Sequence, residues 1–384
     1  MNVKKKVAAA LLLGVVIGIA AMWLMADCIL DARVISEKAY EKSAKMVKAE
    51  MLCEYIQDVY YKDVDVDVLA DGMYKGMVES LGDKYSEYMT AEEYKAWQED
   101  MNGAFYGVGL TMQVSKKDKG HFTVVSVVKD SPAEKAGFIE GDIVTKVDGK
   151  TYDSLNSAVK NIRGEKGTKV TLTYIRDGSE KEITLVREEI TISSVGSSML
   201  DNKVGYILIT SFSENTGKEF EEAVSKLEKE GAKSLVIDLR NNGGGFVDQG
   251  IMVADELLGK CTVVEYIDNN GNKSYSYSDA DKTKLPYAVL VNGATASASE
   301  IVTAAIKDNK GGIIVGTKTF GKGIIQSTKR IKDGSAIKLT IMEYRSPDGH
   351  VIHEKGIKPD YVVKLKKNDR TDYQLKKAVT LLGN

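Results

Sequence analysis

The hydrophobic pattern begins with an uncharged run from Val7 to Met25, with Lys4–Lys6 before it and Asp27 and Asp31 after it. As a helix this run is roughly 28 Å long, about the thickness of the hydrocarbon core of a bilayer. Because the lysines lie only before this run, the N-terminus is expected in the cytoplasm and the rest of the chain outside. We therefore expect residues 1–30 to form a single transmembrane anchor. The alternative is a cleaved signal peptide, which would leave a secreted protein.

The next segment reads as helical. Glu37 to Tyr61 is rich in Ala, Glu, Lys and Met and contains neither Pro nor Gly. Val47, Met51 and Tyr55 recur every four residues, which gives this helix one apolar face. That face must pack either on the chain's own core or on a second subunit, and we favour the second, a homodimer. The whole N-terminal helical region is predicted over residues 31–102.

Residues 103–188 change to short β-rich runs that alternate with turn signals such as Asp148-Gly149 and Asp177-Gly178. Between the runs, Ser131 to Gly137 is typical of a short capped helix, because Pro132 follows Ser131 at its first turn. The pattern predicts a small, mostly β domain.

From residue 203 onward, apolar strands alternate with amphipathic helices, which is the rhythm of an α/β fold with parallel strand pairing. The predicted strands are Val204–Ile209, Ser234–Leu239, Leu285–Val291 and Gly312–Val315, and the helices between them are Lys218–Glu230 and Ser299–Lys307. A last apolar helix is predicted over Tyr373–Leu382, and we interpret it as a second docking helix for a dimer. This α/β domain extends over residues 189–384.

Composition changes the picture little. The chain has 384 residues, 43% hydrophobic and 28% charged, and its net charge of −2 gives no electrostatic argument for binding nucleic acid. Cys28, Cys53 and Cys261 match neither a disulfide framework nor a zinc pattern. A Cys28–Cys53 bridge and free thiols both remain open. Nothing in the sequence calls for a metal or an organic cofactor.

Two loops of small residues follow two of the buried strands, Arg240–Gly245 and Asn292–Glu300. The carboxyl ends of parallel strands are where such sheets bind ligands. A serine in the second loop would lie at the start of a helix, whose free N–H groups suit a developing oxyanion. A glycine of the first loop can add another donor, and each donor is typically worth about 3 kcal/mol. The junction therefore suits acyl transfer.

A serine nucleophile needs a base. His121 lies in the β-rich segment, and His350 and His353 lie near a late turn, so none occupies a loop typical of a catalytic histidine. Lys322 is the other candidate, because Gly321 and Gly323 on both sides indicate a cramped site. A lysine acts as a base only when it is neutral, and its ordinary pKa of about 10.4 must be lowered by burial for that.

At these positions the chain resembles the carboxy-terminal processing (tail-specific) proteases. The resemblance rests on Val291–Ile301, on Gly316–Gly323 followed by Gln326, and on Asp238–Asn242 with its glycines. It implies that Ser297 is the nucleophile, Lys322 the general base and Gln326 the residue that positions the lysine. It also implies an oxyanion hole from the N–H groups of Ala298 and Gly244. Many relatives have proline where this chain has Gly243, which makes that loop a departure from the family pattern.

The same resemblance identifies residues 103–188 as a PDZ domain inserted before a crotonase- and Clp-protease-like ββα core. Its carboxylate-binding loop would be Tyr106, Gly107, Val108, Gly109 and Leu110. A peptide would join the PDZ sheet as an extra strand, with its terminal carboxylate on the loop N–H groups.

Arg163 resembles an arginine that couples the PDZ domain to the protease in some relatives, and an exposed arginine at a helix end is the alternative. The implied activity is endoproteolysis near the free C-terminal tail of a protein substrate, on the outer side of the cell membrane. One alternative is a membrane-anchored PDZ scaffold with an inactive protease domain. Another is a hydrolase that uses His350 or His353 as its base.

Overall fold

The computed structural model describes residues 37–115, 120–279, 281–366 and 371–383. The chain divides into two compact units, residues 1–77 and 78–384. The anchor predicted over residues 7–25 lies outside the described residues. Within the described ranges, no helix combines the length and the apolar character that a membrane span requires.

The helices, in chain order, are α1 (Glu37–Val59), α2 (Val66–Glu79), α3 (Ala91–Asn102), α4 (Pro132–Lys135), α5 (Leu155–Ile162), α6 (Thr216–Lys229), α7 (Val247–Leu257), α8 (Ala298–Asp308) and α9 (Tyr373–Leu381), with a 3-10 turn at Asp201–Lys203. The strands are β1 (Glu87–Met89), β2 (Ala104–Gly107), β3 (Leu110–Val114), β4 (Phe122–Val127), β5 (Ile143–Val147), β6 (Lys169–Arg176), β7 (Ser179–Val186), β8 (Glu188–Thr191), β9 (Val195–Leu200), β10 (Val204–Ile209), β11 (Ser234–Asp238), β12 (Cys261–Asp268), β13 (Lys273–Ser278), β14 (Tyr287–Val291), β15 (Ile313–Gly316), β16 (Ile324–Arg330), β17 (Ala336–Arg345) and β18 (Tyr361–Val362).

The first unit contains α1, so the helix predicted after residue 37 is confirmed. Its apolar face is exposed in the single chain: Met51 is 62% and Tyr55 65% accessible. Cys53 on this helix and Cys261 on β12 carry free thiols. Cys28 lies outside the described residues.

The β-rich segment forms a five-stranded antiparallel sheet in the order β3-β4-β5-β6-β7. As predicted, Ser131 begins the short helix α4, and its hydroxyl accepts the Glu134 N–H at 3.2 Å. The apolar run of β4 predicts Val125, Val127 and Val128 as core residues, and for Val125 this is wrong. Phe122 and Val124 are buried, whereas Val125 is only half-buried. In a run of four valines around one serine, the sequence does not show which alternate positions face inward.

The α/β domain is built on a six-stranded sheet in the order β18-β15-β14-β11-β10-β9. The pairs among β10, β11, β14, β15 and β18 are parallel, and β9 is antiparallel to β10. Every residue of β11 and β14 is buried, as expected for central strands that are covered on both faces. Because these two strands are parallel neighbours, the loops that follow them meet at one edge of the sheet.

A second sheet lies in the same unit, with β17 paired to β1, β12 and β16. Strand β1 comes from the N-terminal region, and its Glu87–Met89 pair antiparallel with Ala336–Lys338 of β17. The chain therefore brings residues just before β1 close to β16 and β17.

The last helix, α9, corrects one prediction. Its Ala378 is fully buried, and Leu375 and Val379 pack on a cluster formed by residues of β10, β11, β14 and β15. The apolar face that we interpreted as a dimer contact is thus used by the chain's own sheet. An apolar stripe in a sequence does not show which surface covers it.

Candidate active site

Ser297 lies between β14 and α8, where the buried strand ends and the helix begins. Its backbone has φ 58° and ψ −121°, an uncommon conformation for a residue with a side chain, and the residue is buried. Within the described residues, the N–H of the next residue, Ala298, donates no hydrogen bond. The turn therefore combines a serine hydroxyl with a free N–H at a helix start, as the sequence predicts.

The glycine loop after β11 packs directly against this turn. Asn241 and Asn292 join the two loops, because the Asn241 N–H and the Asn292 amide each donate to the other's side-chain oxygen, at 3.0 and 2.9 Å. A Cβ on Gly244 would lie 2.6 Å from the Ser297 Cβ, and its φ of +98° also favours glycine. The Gly244 N–H, which we predict as an oxyanion donor, donates here to Asn242 Oδ1 at 2.8 Å.

Lys322 lies on the connection from β15 to β16. The prediction of a cramped site is confirmed: a Cβ on Gly321 would lie 2.9 Å from the Gly356 N, and one on Gly323 would lie 2.3 Å from the His353 N. Burial lowers the pKa of the Lys322 amine, and the nearby charge of Lys338 lowers it further. Asp83 and Glu300 act in the opposite direction without reversing the shift.

Glu300 and Tyr344 hold the backbones of Ser297 and Lys322 together from two sides. The buried Glu300 carboxylate accepts the N–H of Ser297 at 3.1 Å and the N–H of Lys322 at 2.8 Å. Its other oxygen accepts from the Thr319 hydroxyl and the Gly321 N–H. The buried Tyr344 hydroxyl lies against the carbonyl oxygens of Ser297, at 3.0 Å, and Lys322. Burial raises the pKa of Tyr344 well above its ordinary value, so the phenol keeps its proton.

Ser297, Lys322 and Gln326 line one cavity of about 700 Å³. Its other walls come from α3, the glycine loop, the start of α7, β16 and β17. They are formed by Tyr94, Trp97, Gln98, Met101, Asn102, Gly243, Gly244, Gly245, Phe246, Val247, Asp248, Ile324, Ile325, Ser327, Thr328 and Lys338. No hydrogen bond joins the Ser297 hydroxyl to the Lys322 amine among the described residues. The amine instead lies 4.8 Å from the centre of the Tyr85 ring.

Sequence reasoning missed a polar group that reaches the site from the N-terminal side. Asp83 Oδ2 accepts the Thr340 hydroxyl at 2.6 Å, and Thr340 Oγ1 accepts the Gln326 amide Nε2 at 3.1 Å. Tyr85 comes from the same short segment. Neither Asp83 nor Tyr85 carries a local signal in the sequence, because a polar residue and an aromatic residue beside a turn are typical of an ordinary loop.

The histidines lie elsewhere. His350 is exposed, with Nδ1 3.2 Å from the Ser346 hydroxyl. The Nδ1 of His353 is buried and has no hydrogen-bond partner in the described part of the chain. Neither one lines the cavity of Ser297. Within the described residues, the group close enough to hold a metal ion is Asp308, Asp348 and His350, with ligand atoms within 4.8 Å of one another. It too lies outside that cavity.

The predicted PDZ loop lies between β2 and β3. Val108 is buried, and its carbonyl accepts the Ala133 N–H at 2.9 Å, while Gly109 has φ +82°. Tyr106 and Gly107 end β2, and Leu110 begins β3. The loop therefore leads directly into an edge strand of the PDZ sheet.

Arg163 follows α5 of the PDZ domain. Its guanidinium carbon lies 4.2 Å from the centre of the Phe105 ring, and its Nη1 lies 3.5 Å from Glu99 Oε2 on α3. Its Nε is buried and has no hydrogen-bond partner among the residues that the structure describes. Helix α3 also carries Trp97 and Met101 of the Ser297 cavity, so one helix contacts both Arg163 and that cavity.

Three family models match the chain. One described as peptidase family S41 matches residues 203–363, one described as a PDZ domain matches 107–186, and one described as the N-terminal domain of the activating protease CtpB matches 15–93. The fold and these matches define a serine-type peptidase with a PDZ domain.

Relatives extend the likeness over most of the chain. A probable CtpA-like serine protease of Staphylococcus haemolyticus is 42% identical over 356 residues, 91% of this chain and 71% of that protein. The carboxy-terminal processing protease CtpA of Bacillus subtilis is 42% identical over 329 residues, which cover 84% and 70%. The solved photosystem II D1 C-terminal processing protease is 28% identical with a TM-score of 0.50, covering 86% of this chain and 90% of that one. The chain belongs to peptidase family S41, as a C-terminal processing protease.

Proposed function

We propose that this protein cleaves protein substrates near their C-terminal tails with Ser297 as nucleophile and Lys322 as general base. The observation that carries the proposal is the shared cavity. It joins a buried serine at a strained strand-to-helix turn with a lysine whose pKa is lowered by burial and which has no ion-pair partner among the described residues. A lysine in this state gives up its proton more readily than one in water.

The reaction would proceed through an acyl-enzyme. The neutral Lys322 amine takes the proton of the Ser297 hydroxyl while Oγ attacks the scissile carbonyl carbon. The negative oxygen is stabilised by the Ala298 N–H, and by the Gly244 N–H once it exchanges Asn242 for the substrate. The Lys322 ammonium then protonates the leaving amine, and the peptide C–N bond breaks. Water deprotonated by Lys322 hydrolyses the ester and regenerates Ser297.

The PDZ loop Tyr106–Leu110 would bind the terminal carboxylate of the tail. Arg163 supports a link to the protease, because it contacts Phe105 beside this loop and Glu99 on the helix that lines the cavity. We expect Arg163→Ala to reduce the cleavage of tailed substrates while the slow cleavage of a short peptide without a PDZ-binding tail stays the same. Equal losses on both substrates would argue against coupling.

The N-terminal run 7–25 would anchor the protein as a single span with its catalytic body outside the cytoplasm. This proposal rests on the flanking charges, Lys4–Lys6 on one side and Asp27 and Asp31 on the other. The exposed apolar face of α1 supports a homodimer. Digestion of intact cells by an added protease tests the topology, and light scattering of the purified protein tests the dimer.

The decisive experiment uses the full chain in detergent and a peptide tail in two forms, with a free C-terminal carboxylate and with a C-terminal amide. Mass spectrometry should show cleavage of the free-acid form by the wild type, slower cleavage of the amide, and none by Ser297→Ala. Retained activity in Lys322→Ala would overturn the dyad. Binding of the tail by the wild type without any cleavage would point instead to an inactive PDZ scaffold.

A further inference from the structure

The side chain of Gln326 takes part in a hydrogen-bonded chain that ends on a carboxylate. Gln326 and Thr340 are direct partners in the β16–β17 pairing, and the amide Nε2 lies 3.1 Å from the Thr340 hydroxyl oxygen. That hydroxyl lies 2.6 Å from Asp83 Oδ2. The Ser86 hydroxyl, also 2.6 Å from this oxygen, accepts the Thr340 N–H at 3.0 Å and so fixes the threonine from its backbone side.

The ionisation state of Asp83 determines which group donates and which accepts in each hydrogen bond from Gln326 through Thr340 to Asp83. Burial by itself would raise the pKa of Asp83, but hydrogen bonds from Ser86, Thr340 and the Tyr85 N–H lower it below its ordinary value. An ionised carboxylate only accepts hydrogen bonds. The Thr340 proton therefore points to Asp83, and the Thr340 oxygen accepts from the NH₂ end of Gln326. The carbonyl end, Oε1, remains the acceptor that Gln326 can offer to the cavity it shares with Lys322.

This direction matters for a lysine that acts as a base. A neutral amine has two N–H donors and one lone pair, and the lone pair must be free to receive the serine proton. If Gln326 offered Oε1, it would accept an N–H of the amine and leave the lone pair open to Ser297. If the amide were reversed, its NH₂ would donate to the lone pair and compete with the serine.

We propose that Asp83 is a positioning residue which, acting through Thr340, fixes the Gln326 amide with Oε1 toward Lys322. This inference rests on the proposed function of Lys322. It assigns a role in the site to residues from the segment before β1, which none of the sequence motifs includes.

The charged and titratable groups that face Lys322 are Asp83 and Tyr85 from this segment, Glu300 from α8 and Lys338 from β17. Asp83 raises the pKa of Lys322, so its neutral replacement Asp83→Asn should shift the pH–rate profile to lower pH as well as reduce the maximal rate. Thr340→Val keeps the carboxylate and removes only the hydroxyl. It should reduce the maximal rate with a smaller shift.

The test compares kcat between pH 6 and 10 for the full-length wild type, Asp83→Asn, Thr340→Val and Thr340→Ser, with a tail peptide as substrate. We expect kcat to fall by about tenfold or more in the first two variants, within the range of general-base effects. Thr340→Ser, which keeps the hydroxyl, should stay within about threefold of the wild type. Asp333→Asn is the matched control, because Asp333 accepts the Ser335 hydroxyl and N–H in the same way but lies outside the cavity.

Wild-type kcat in Thr340→Val, or equal losses in the valine and serine variants, would overturn the proposal. The valine and serine pair decides the question even if Asp83→Asn does not fold, because melting temperatures show whether those two variants are native. Failure of the proposed function looks different. If the proposed function is wrong, the Lys322→Ala variant would still cleave the peptide, and its Ser297 would still be labelled by a fluorophosphonate.

Discussion

The backbone N–H groups of Ser297 and Lys322 donate to the same oxygen atom, Oε2 of Glu300, at 3.1 and 2.8 Å. Their carbonyl groups lie against one hydroxyl, that of Tyr344. The distance between the proposed nucleophile and base is therefore set by backbone contacts to two buried side chains. The serine and lysine side chains need not hold each other.

Tyr344→Phe tests this arrangement, because it removes one oxygen and keeps the ring. The Ser297 carbonyl keeps the N–H groups of Glu300 and Ile301, at 2.7 and 3.0 Å, so the loss falls on the Lys322 carbonyl and costs roughly 1–3 kcal/mol. We expect kcat to fall by about tenfold with a small decrease in melting temperature. Tyr266→Phe is the matched control, since Tyr266 opposes Tyr344 across β12 and β17 and its hydroxyl contacts only Ser276 within the described hydrogen bonds. Equal effects of the two changes would contradict the prediction.

Lys338→Met tests the electrostatics of the base. The charge of Lys338 lowers the pKa of Lys322, so its removal should raise that pKa and move the rising limb of the pH–rate profile to higher pH. Lys329→Met, an exposed lysine on β16, should leave the profile in place. An unchanged profile in Lys338→Met would show that burial alone tunes the amine.

A pair of glycine variants tests the contact between the loops. Gly244→Ala places a Cβ 2.6 Å from the Ser297 Cβ at a φ of +98°, whereas no described atom lies within 4 Å of a Cβ on Gly243. Strain and overpacking cost about 1–3 kcal/mol each, so Gly244→Ala should reduce kcat/KM by about a hundredfold or more. Gly243→Ala should retain most activity. Comparable activity in the two variants would refute the close approach.

Glu256→Gln concerns stability rather than catalysis. Burial, then the charges of Glu221, Glu228 and Asp255, raise the pKa of Glu256 to about 7. Because the folded protein favours the protonated form of Glu256, ionisation of this group opposes folding. The stability that the protonated group contributes is present below pH 4.5 and is lost as the pH rises toward 7. The variant should be more stable than the wild type at pH 8, by roughly 1–2 kcal/mol after allowance for partial exposure, and equal to it below pH 4.5.

Urea denaturation at both pH values checks this prediction. Glu180→Gln, an exposed residue of the β6–β7 hairpin, is the control and should change stability little at either pH. A gain in Glu256→Gln that is the same at acidic and basic pH would mean that ionisation is not its cause.

The α/β core was readable from the sequence because its signals are local. Val204–Ile209 is a strand with the predicted bounds, and the fully buried β11 and β14 come from continuous apolar runs. Small residues and glycines marked the two tight turns as candidate sites, and the family resemblance singled out Ser297 within its loop. The glycines beside Lys322 are required because a Cβ at either position would lie too close to backbone atoms of residues 353–356.

The parts that escaped prediction depend on contacts between distant segments. Asp83 bonds to Thr340, and nothing near either residue marks the pairing. Glu300 was visible in the motif, but its four donors come from two separate segments, Ser297 and residues 319–322, and no spacing rule reveals that one carboxylate accepts from both. The apolar face of α9 was wrongly assigned to a dimer contact for the same reason. Apolar periodicity shows that one face of a helix is buried, but it does not show which surface buries it.

The pairing of β1 with β17 has a consequence for how the enzyme is made. The ladder joins Glu87 to Lys338, and the Asp83–Thr340 bond follows directly from it. A nascent chain emerging from the ribosome cannot form this ladder until residues 336–338 have been synthesised. The contact between Asp83 and the wall of the proposed lysine site is thus made late in synthesis, and an unfinished polypeptide lacks it.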